Sequence, residues 1–153
     1  MRRLTLPLAC VLTAGLLLTG CGGGETSMPT STPPSAAFDV VAKLNGYPLT
    51  NVDVFPDQDQ TIQVQTGDVL ELDASGPVSW ETVAGTTAGI PTQSGATVVY
   101  GGVDFTETIS TPGQLTLAIS APQPLAAPVP LTIYATSQYD ANQTARIDIV
   151  VTR

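Results

Sequence analysis

The sequence predicts an all-β fold, an antiparallel β-sandwich of about eight strands, and three observations support this class. Apolar and polar residues alternate at a period of two in short runs, most clearly at 115–119 and 131–135. Turn signals such as Asn45-Gly46 and Pro112-Gly113 separate the runs at roughly ten-residue spacing. Beyond residue 37, no run shows the period of an amphipathic helix. The 14 glycines and 13 prolines among 153 residues also suit short strands and turns.

The expected strands follow one another from Phe38 to the end of the chain. Asn45-Gly46 is a favoured pair for a two-residue hairpin and should join the first two strands. Pro48 places the second strand at a sheet edge, because proline lacks the N–H that a central ladder needs. Residues 121–130 hold four prolines and are expected to form a loop or a bulged edge. The runs expected to be strands are 38–44, 47–55, 62–65, 69–73, 78–83, 97–109 (interrupted by Gly101-Gly102), 115–120, 131–136 and 145–152.

Two segments near the end of the chain give this fold class a more specific form. Residues 131–140 are rich in Thr, Ala and Tyr and end in an Asp-containing turn, and residues 145–152 form a Val-rich final strand. This pattern resembles the last two strands of bacterial immunoglobulin-like (Ig-like) domains. The single tryptophan, Trp80, lies where such sandwiches often bury an aromatic residue, so we expect it to lie between two sheets. The Cys pair of antibody domains is absent, which implies a core without a disulfide.

Composition and charge exclude several classes of function. The chain has no His, which removes His-dependent catalytic triads and imidazole metal sites. Five basic residues against 13 acidic ones argue against nucleic acid as a partner, because phosphates are bound through Lys and Arg. No Gly-x-Ser-x-Gly elbow or phosphate-binding loop occurs, and Lys43 is the only lysine that could serve a Ser–Lys dyad. We therefore expect no enzyme and no cofactor.

The first 20 residues have the organisation of an export signal. Arg2 and Arg3 precede an apolar run from Leu4 to Leu18, which is shorter than the ~20 residues that span a membrane. The run ends in Leu18-Thr19-Gly20-Cys21, which resembles the lipobox of bacterial lipoproteins. In that family a diacylglyceryl group is attached to the Cys thiol, the signal is cut just before this residue, and its new amino group is acylated, typically with palmitate. The resemblance thus implies that Cys21 carries S-diacylglycerol and an N-acyl chain.

The resemblance also implies a location in the cell envelope. Gly22 follows the modified residue, whereas Asp there usually retains a Gram-negative lipoprotein in the inner membrane. The sequence therefore favours the outer membrane, facing the periplasm or the surface, if the organism is Gram-negative. After cleavage, three basic side chains face 13 acids, a net charge of −10. Anionic lipid would repel such a domain, so attachment must come from the acyl chains, at about 0.8 kcal/mol per buried CH₂.

Three parts of the chain are therefore expected: a signal peptide at 1–20, a lipidated Cys with a flexible tether at 21–37, and the β-sandwich at 38–153. Gly, Ser, Thr and Pro dominate the tether, which gives it nothing to bury in a core. As a random coil it would reach roughly 20–25 Å. We expect it to hold the domain away from the lipid surface.

Other side chains remain open as candidate sites. Asp53, Asp57 and Asp59 could supply the oxygens that Ca²⁺ prefers, although we favour an acidic edge loop that discourages aggregation. Three tyrosines could form a platform for stacking sugars, or could simply cover the sheets; these are Tyr100, Tyr134 and Tyr139.

The sequence predicts the function only as a broad class. The favoured hypothesis is a non-enzymatic envelope lipoprotein whose Ig-like domain contacts an unidentified envelope protein or assists envelope assembly. The alternative is a surface module that binds glycan or Ca²⁺. The oligomeric state is left open.

Overall fold

The computed structural model describes residues 37–153, and every regular element within them is a β-strand. Eleven strands form two sheets, and this part of the chain is an all-β sandwich. The strands are β1 (Val40–Leu44), β2 (Tyr47–Val54), β3 (Asp59–Gln65), β4 (Val69–Ala74), β5 (Val78–Val83), β6 (Ile90–Pro91), β7 (Thr97–Tyr100), β8 (Val103–Thr111), β9 (Gln114–Ser120), β10 (Val129–Ser137) and β11 (Thr144–Thr152). Sheet A has the order β2-β1-β4-β9-β8-β7, and sheet B has the order β3-β11-β10-β5-β6.

The core lies between the two sheets and is built from alternate residues of their strands. Leu70 and Leu72 of β4 are completely buried, whereas Glu71 between them is partly exposed on the outer face of sheet A. In sheet B, Ile147 and Ile149 of β11 are buried in the same way. Full burial of such a side chain contributes about 1.5–3 kcal/mol, so this apolar layer is the main source of stability.

Trp80 links the two sheets directly. It belongs to β5 in sheet B and is 5% exposed. Its indole Nε1 donates a hydrogen bond of 2.8 Å to the carbonyl oxygen of Thr111, at the end of β8 in sheet A. The prediction that Trp80 is buried between two sheets is confirmed.

The turn between β1 and β2 has the geometry that its sequence predicts. Asn45 and Gly46 both have positive φ, 52° and 81°, as the type I′ hairpin turn requires. Asn45 also ties this turn to the start of β4, since its backbone N–H donates to the Val69 carbonyl and its Oδ1 accepts from the Val69 N–H, both at 2.8 Å. β2 lies at the edge of sheet A, so the edge position predicted from Pro48 is confirmed.

The detail of the sandwich differs from the prediction in three places. There are eleven strands rather than about eight, partly because the two-residue strand β6 lies in a Gly/Thr-rich stretch without a visible period. The pairing is not purely antiparallel, because β3 runs parallel to β11, from Asp59 beside Arg146 to Gln65 beside Thr152. β10 begins at Val129, inside the stretch predicted as a loop or bulged edge. Alternation along a strand identifies its buried face but not the strand beside it. The parallel pairing of β3 with β11 could therefore not be predicted from the sequence.

Candidate functional site

The residue predicted to carry lipid, Cys21, lies outside the described residues, as do the signal peptide and most of the tether. Lipidation therefore stays a prediction. Within residues 37–153, no helix has the length and apolar character needed to span a membrane.

The three candidate calcium ligands lie along β2, the following turn and the start of β3. Asp53 and Asp57 are exposed, and the backbone N–H of Asp57 donates to the Thr144 carbonyl at 3.0 Å. Asp59 lies on sheet B, where its Oδ2 is 3.6 Å from Nη1 of Arg146. In the described part of the chain, no three acidic or thiol side chains are grouped closely enough to hold a metal ion. Binding of Ca²⁺ at these residues is therefore tested by titration.

We expect millimolar Ca²⁺ to raise the melting temperature no more than NaCl of matched ionic strength. Salt of either kind should stabilise the acidic domain slightly by screening, whereas a bound ion would stabilise it by RT ln(1 + [L]/Kd). Thermal unfolding in the two salts makes the comparison. A Ca²⁺-specific increase that disappears in the double variant Asp57→Asn/Asp59→Asn would promote the calcium-binding alternative.

Lys43 is held by carboxylates on the outer face of sheet A. Its Nζ lies 2.6 Å from Oε1 of Glu71 and 2.5 Å from Oδ2 of Asp73, both on the neighbouring strand β4. Hydrogen bonds to Asp73 and Glu71 raise the pKa of Lys43 above its ordinary value. An ammonium held in this way stays protonated, which is the opposite of what a Ser–Lys dyad needs from its base.

The three candidate tyrosines do not form one platform. Tyr134 is on β10 in sheet B, Tyr139 is in the β10–β11 turn and 59% exposed, and Tyr100 ends β7 in sheet A. Tyr100 is partly buried and packs against the core. The sequence assigned Tyr100 and Tyr134 to different strands, but alternation could not show that these strands belong to different sheets.

A cavity of about 320 Å³ opens where the edges of both sheets come together, and we call it the lateral cavity. Its walls come from β6 and β7, from the segment after β5, and from one residue of β8. Apolar side chains form most of the lining, among them Ile90, Val98 and Tyr100. The residue from β8 is Glu107, which is 1% exposed and is the only ionisable side chain fully buried in the described residues.

Glu107 occupies a position that alternation assigns to the core. Its strand partner in β9 is the buried Leu117, and the register of β8 shifts immediately afterwards, between Glu107 and Ile109. One carboxylate oxygen, Oε2, accepts a hydrogen bond of 2.5 Å from the Gln93 backbone N–H. The other, Oε1, is 3.5 Å from Oγ1 of Thr82, the outer limit of a hydrogen bond. Burial raises the pKa of Glu107, because the charged form loses hydration that these contacts only partly replace.

We expect Glu107→Gln to make the domain less sensitive to pH. A carboxyl whose pKa is raised by folding stabilises the folded state below its unfolded pKa, near 4.5, and loses that contribution as the pH rises through the raised folded value. Gln keeps an acceptor for the Gln93 N–H but cannot ionise. The variant should therefore gain stability relative to the parent between pH 4 and pH 8, as measured by urea unfolding at each pH. A difference that is constant over this range would contradict the assignment of a buried, ionisable Glu107.

Tyr100, which lines the lateral cavity, packs closely against a glycine. Gly85 has a φ of +63°, and a Cβ at that position would lie 2.5 Å from the Tyr100 hydroxyl oxygen. The backbone after β5 thus approaches the Tyr100 ring more closely than any side chain would allow. Glycine is needed here for both conformation and space.

The contribution of this contact can be separated from backbone strain with two glycine variants. Gly46→Ala meets only the strain of a positive φ, since nothing lies within 4 Å of its new Cβ, and should cost about 1–2 kcal/mol. Gly85→Ala meets similar strain and must also displace Tyr100, for which overpacking adds about 1–3 kcal/mol. Chemical denaturation of both variants measures the difference. Equal costs would show that Tyr100 does not pack on Gly85.

The strand beside the lateral cavity, β7, presents an open edge. Gly101 and Gly102 have φ of 59° and 81° and make a two-residue turn between Tyr100 and Val103, which face each other across β7 and β8. Backbone groups in an antiparallel pair alternate between facing the partner strand and facing away from it. Tyr100 and Val98 therefore bond to β8. The N–H and C=O groups of Thr97 and Val99 point away from it, and we call this side of the strand the β7 edge.

The β7 edge also carries exposed apolar surface. Val99 is 68% exposed, and Ile90, on the facing edge of sheet B, is 45% exposed. Edge strands with free backbone groups pair readily with another chain, and natural proteins usually protect them with charge, proline or a bulge. The four residues of β7, Thr-Val-Val-Tyr, contain none of these.

Sequence reasoning predicted strands at 97–100 and 103–109 but missed the lateral cavity and the open edge that lie beside β7. The signal was present at Glu107, which follows Val103 and Phe105 at a period of two and so falls on the buried face. An acidic residue at a core position costs free energy unless its charge is paired or hydrogen-bonded. The contact between Gln93 and Glu107 could not be found in this way, because Gln93 lies in the segment between β6 and β7, where the sequence shows no period.

The comparisons with known proteins leave the family open. No family model matches the chain, and no curated protein matches it.

Proposed function

We propose that this chain is a non-enzymatic bacterial lipoprotein, anchored in the cell envelope through acylated Cys21, which binds another envelope protein at the β7 edge of an Ig-like domain. The single observation that carries the binding part is the β7 edge itself. Its outward N–H and C=O groups at Thr97 and Val99 can pair with an extended segment of a partner. In this mode of recognition, backbone hydrogen bonds supply affinity and pockets for alternate side chains supply specificity.

The strand order supports the Ig-like assignment. In the immunoglobulin fold, strands A, B, E and D form one sheet and strands C, F and G form the other, with a buried Trp on strand C. The order β1-β4-β9-β8 in sheet A corresponds to A-B-E-D, and β5-β10-β11 in sheet B corresponds to C-F-G. Trp80 then falls on the equivalent of strand C.

The lipobox and the charge of the domain support the anchoring part. Leu18-Thr19-Gly20-Cys21 follows an apolar run behind two arginines, which is the order that lipoprotein signals have. The net charge of −10 beyond residue 20 makes direct binding to anionic lipid unfavourable. Acyl chains on Cys21 would hold such a domain at the membrane without a contact between the domain and the lipid surface.

A proline at the outer edge tests the proposed pairing. The Val99 N–H points away from β8, so Val99→Pro removes an edge donor without removing a bond of the β7–β8 ladder. Val99→Thr keeps the donor and is the matched control. With a photo-crosslinking amino acid at position 97, we expect a specific adduct in intact cells from the parent and from Val99→Thr, and none from Val99→Pro.

The same experiment contains the outcome that would contradict the proposal. Circular dichroism should first show that Val99→Pro is folded. An adduct that persists in the folded proline variant, or one that forms equally well from a crosslinker at Gln63 on sheet B, would show that the β7 edge is not the binding surface.

A further inference from the structure

The lateral cavity lies where a strand added to the β7 edge would place some of its side chains. Neighbouring strands in a sheet are about 4.8 Å apart, and their side chains alternate between the two faces. On β7 itself, Val98 and Tyr100 face the core while Thr97 and Val99 face outward. A strand paired with β7 would likewise direct every second side chain inward, over the cavity.

The cavity combines an apolar wall with an acidic base. Ile90 and Val98 line the wall, and the ring of Tyr100 forms one side. The Glu107 carboxylate has one short hydrogen bond, from the Gln93 N–H, and is otherwise surrounded by groups that do not balance its charge. A buried charge of this kind is stabilised by an opposite charge with good geometry.

The chain's own cations in the described residues are engaged elsewhere. Lys43 pairs with two carboxylates on sheet A, and Arg146 pairs with Asp148 at 3.1 Å on sheet B. The Nε of Arg153 donates to the Leu125 carbonyl at 3.2 Å. None of these three lines the lateral cavity. A positive group that pairs with Glu107 would therefore come from outside the domain, and the acidic surface would favour its approach.

We infer that the lateral cavity receives a lysine or arginine side chain from the strand that pairs with β7, and that its charged group pairs with the Glu107 carboxylate. This inference rests on the proposed function, because the partner strand brings the basic side chain into position. The aliphatic stem packs along Ile90 and Val98, as the stems of long basic side chains commonly do. Tyr100 also lines the cavity, and its aromatic ring is of the kind that attracts cations. The partner is thus an extended segment with a basic residue at an inward-facing position.

A fragment that mimics a lysine side chain tests the inference without the partner. The probe is n-butylammonium chloride, titrated into the folded protein at constant ionic strength, with backbone amide and side-chain shifts followed by NMR. We expect saturable shifts at Gln93, Tyr100 and Glu107. The neutral isostere n-butanol should bind at least tenfold more weakly. Glu107→Gln should weaken n-butylammonium binding at least tenfold, whereas Asp104→Asn, on the outer face of the same strand, should leave it unchanged.

Each other outcome overturns the inference. Equal binding of n-butanol would show an apolar cavity without charge recognition. Unchanged binding in Glu107→Gln, or an equal loss in Asp104→Asn, would show general attraction to an acidic surface. The result is separable from the proposed function. Binding of n-butylammonium at Glu107, together with a crosslink that survives Val99→Pro, would refute the edge pairing, and with it the strand as the source of the basic side chain, but not the cation site itself. A crosslink that is lost in Val99→Pro, without binding of n-butylammonium at Glu107, would refute only the inference that a basic side chain enters the cavity.

Discussion

Trp80→Ala is expected to lower the free energy of unfolding by about 3–5 kcal/mol. The indole fills space between the sheets and is 5% exposed, so its removal leaves a cavity that the two sheets cannot close without shifting. The substitution also leaves the Thr111 carbonyl without its donor at 2.8 Å. Urea denaturation followed by circular dichroism measures the loss.

The variant Trp80→Phe separates the two causes. Phe retains much of the apolar volume but cannot donate to Thr111, so its cost should include about 1 kcal/mol for the hydrogen bond and remain below that of Ala. In the parent protein, the fluorescence of Trp80 should be that of a shielded indole and should shift to the red on unfolding. A red-shifted spectrum in the folded state, or a loss below about 1 kcal/mol in Trp80→Ala, would contradict the cross-sheet role.

Cys21→Ala is expected to abolish anchoring completely. Alanine has no thiol to receive the diacylglyceryl group, and in the family that the lipobox resembles, cleavage depends on that modification. The cell should therefore accumulate an uncut precursor that takes up no labelled fatty acid. Metabolic labelling with an alkyne fatty acid, together with the mass of the mature N-terminus, measures both effects.

Cys10→Ala is the matched control for this experiment. Cys10 is the other cysteine of the chain and lies inside the apolar run of the signal, where an alanine preserves the hydrophobic character. Labelling and processing should be normal in this variant. A Cys21→Ala protein that is still cut before residue 21 and still carries label would disprove the lipobox assignment.

The faces of the strands could be predicted from the sequence, because burial repeats with the pleat. Leu115, Leu117 and Ile119 all lie in the core, as their period of two requires. Local turn chemistry was equally informative at Asn45-Gly46, where the positive φ of both residues follows from the pair itself. In each case a few adjacent residues determine the structure.

Partners that are distant in sequence could not be predicted in the same way. β2 belongs to sheet A, whereas β3 belongs to sheet B and runs parallel to β11. The alternation of Ile62 and Val64 would be the same in an antiparallel arrangement. The site depends on such distant contacts. The lateral cavity brings Ile90, Tyr100 and Glu107 together from three strands, and only the core position of Glu107 was visible in its own segment.

The net charge of the domain can be read from the sequence, whereas its ion pairs depend on contacts between distant residues. The excess of acids over bases is evident from composition and argues against partners that need a basic surface. Which acids are neutralised is a matter of the fold: Lys43 reaches Glu71 and Asp73 because β1 and β4 are neighbours in sheet A. Among the acidic residues of 37–153, only Glu107 is enclosed by the core.

Hydrogen exchange at the β7 edge tests the central claim most directly. In the free domain, the amide protons of Thr97 and Val99 should exchange rapidly, because they face away from β8, whereas those of Val98 and Tyr100 should be protected. In the complex isolated from native envelopes, the account predicts that exchange at Thr97 and Val99 slows to the level of the paired amides. Rapid exchange at both residues with the partner bound would contradict it, because the partner would then be held by some other surface.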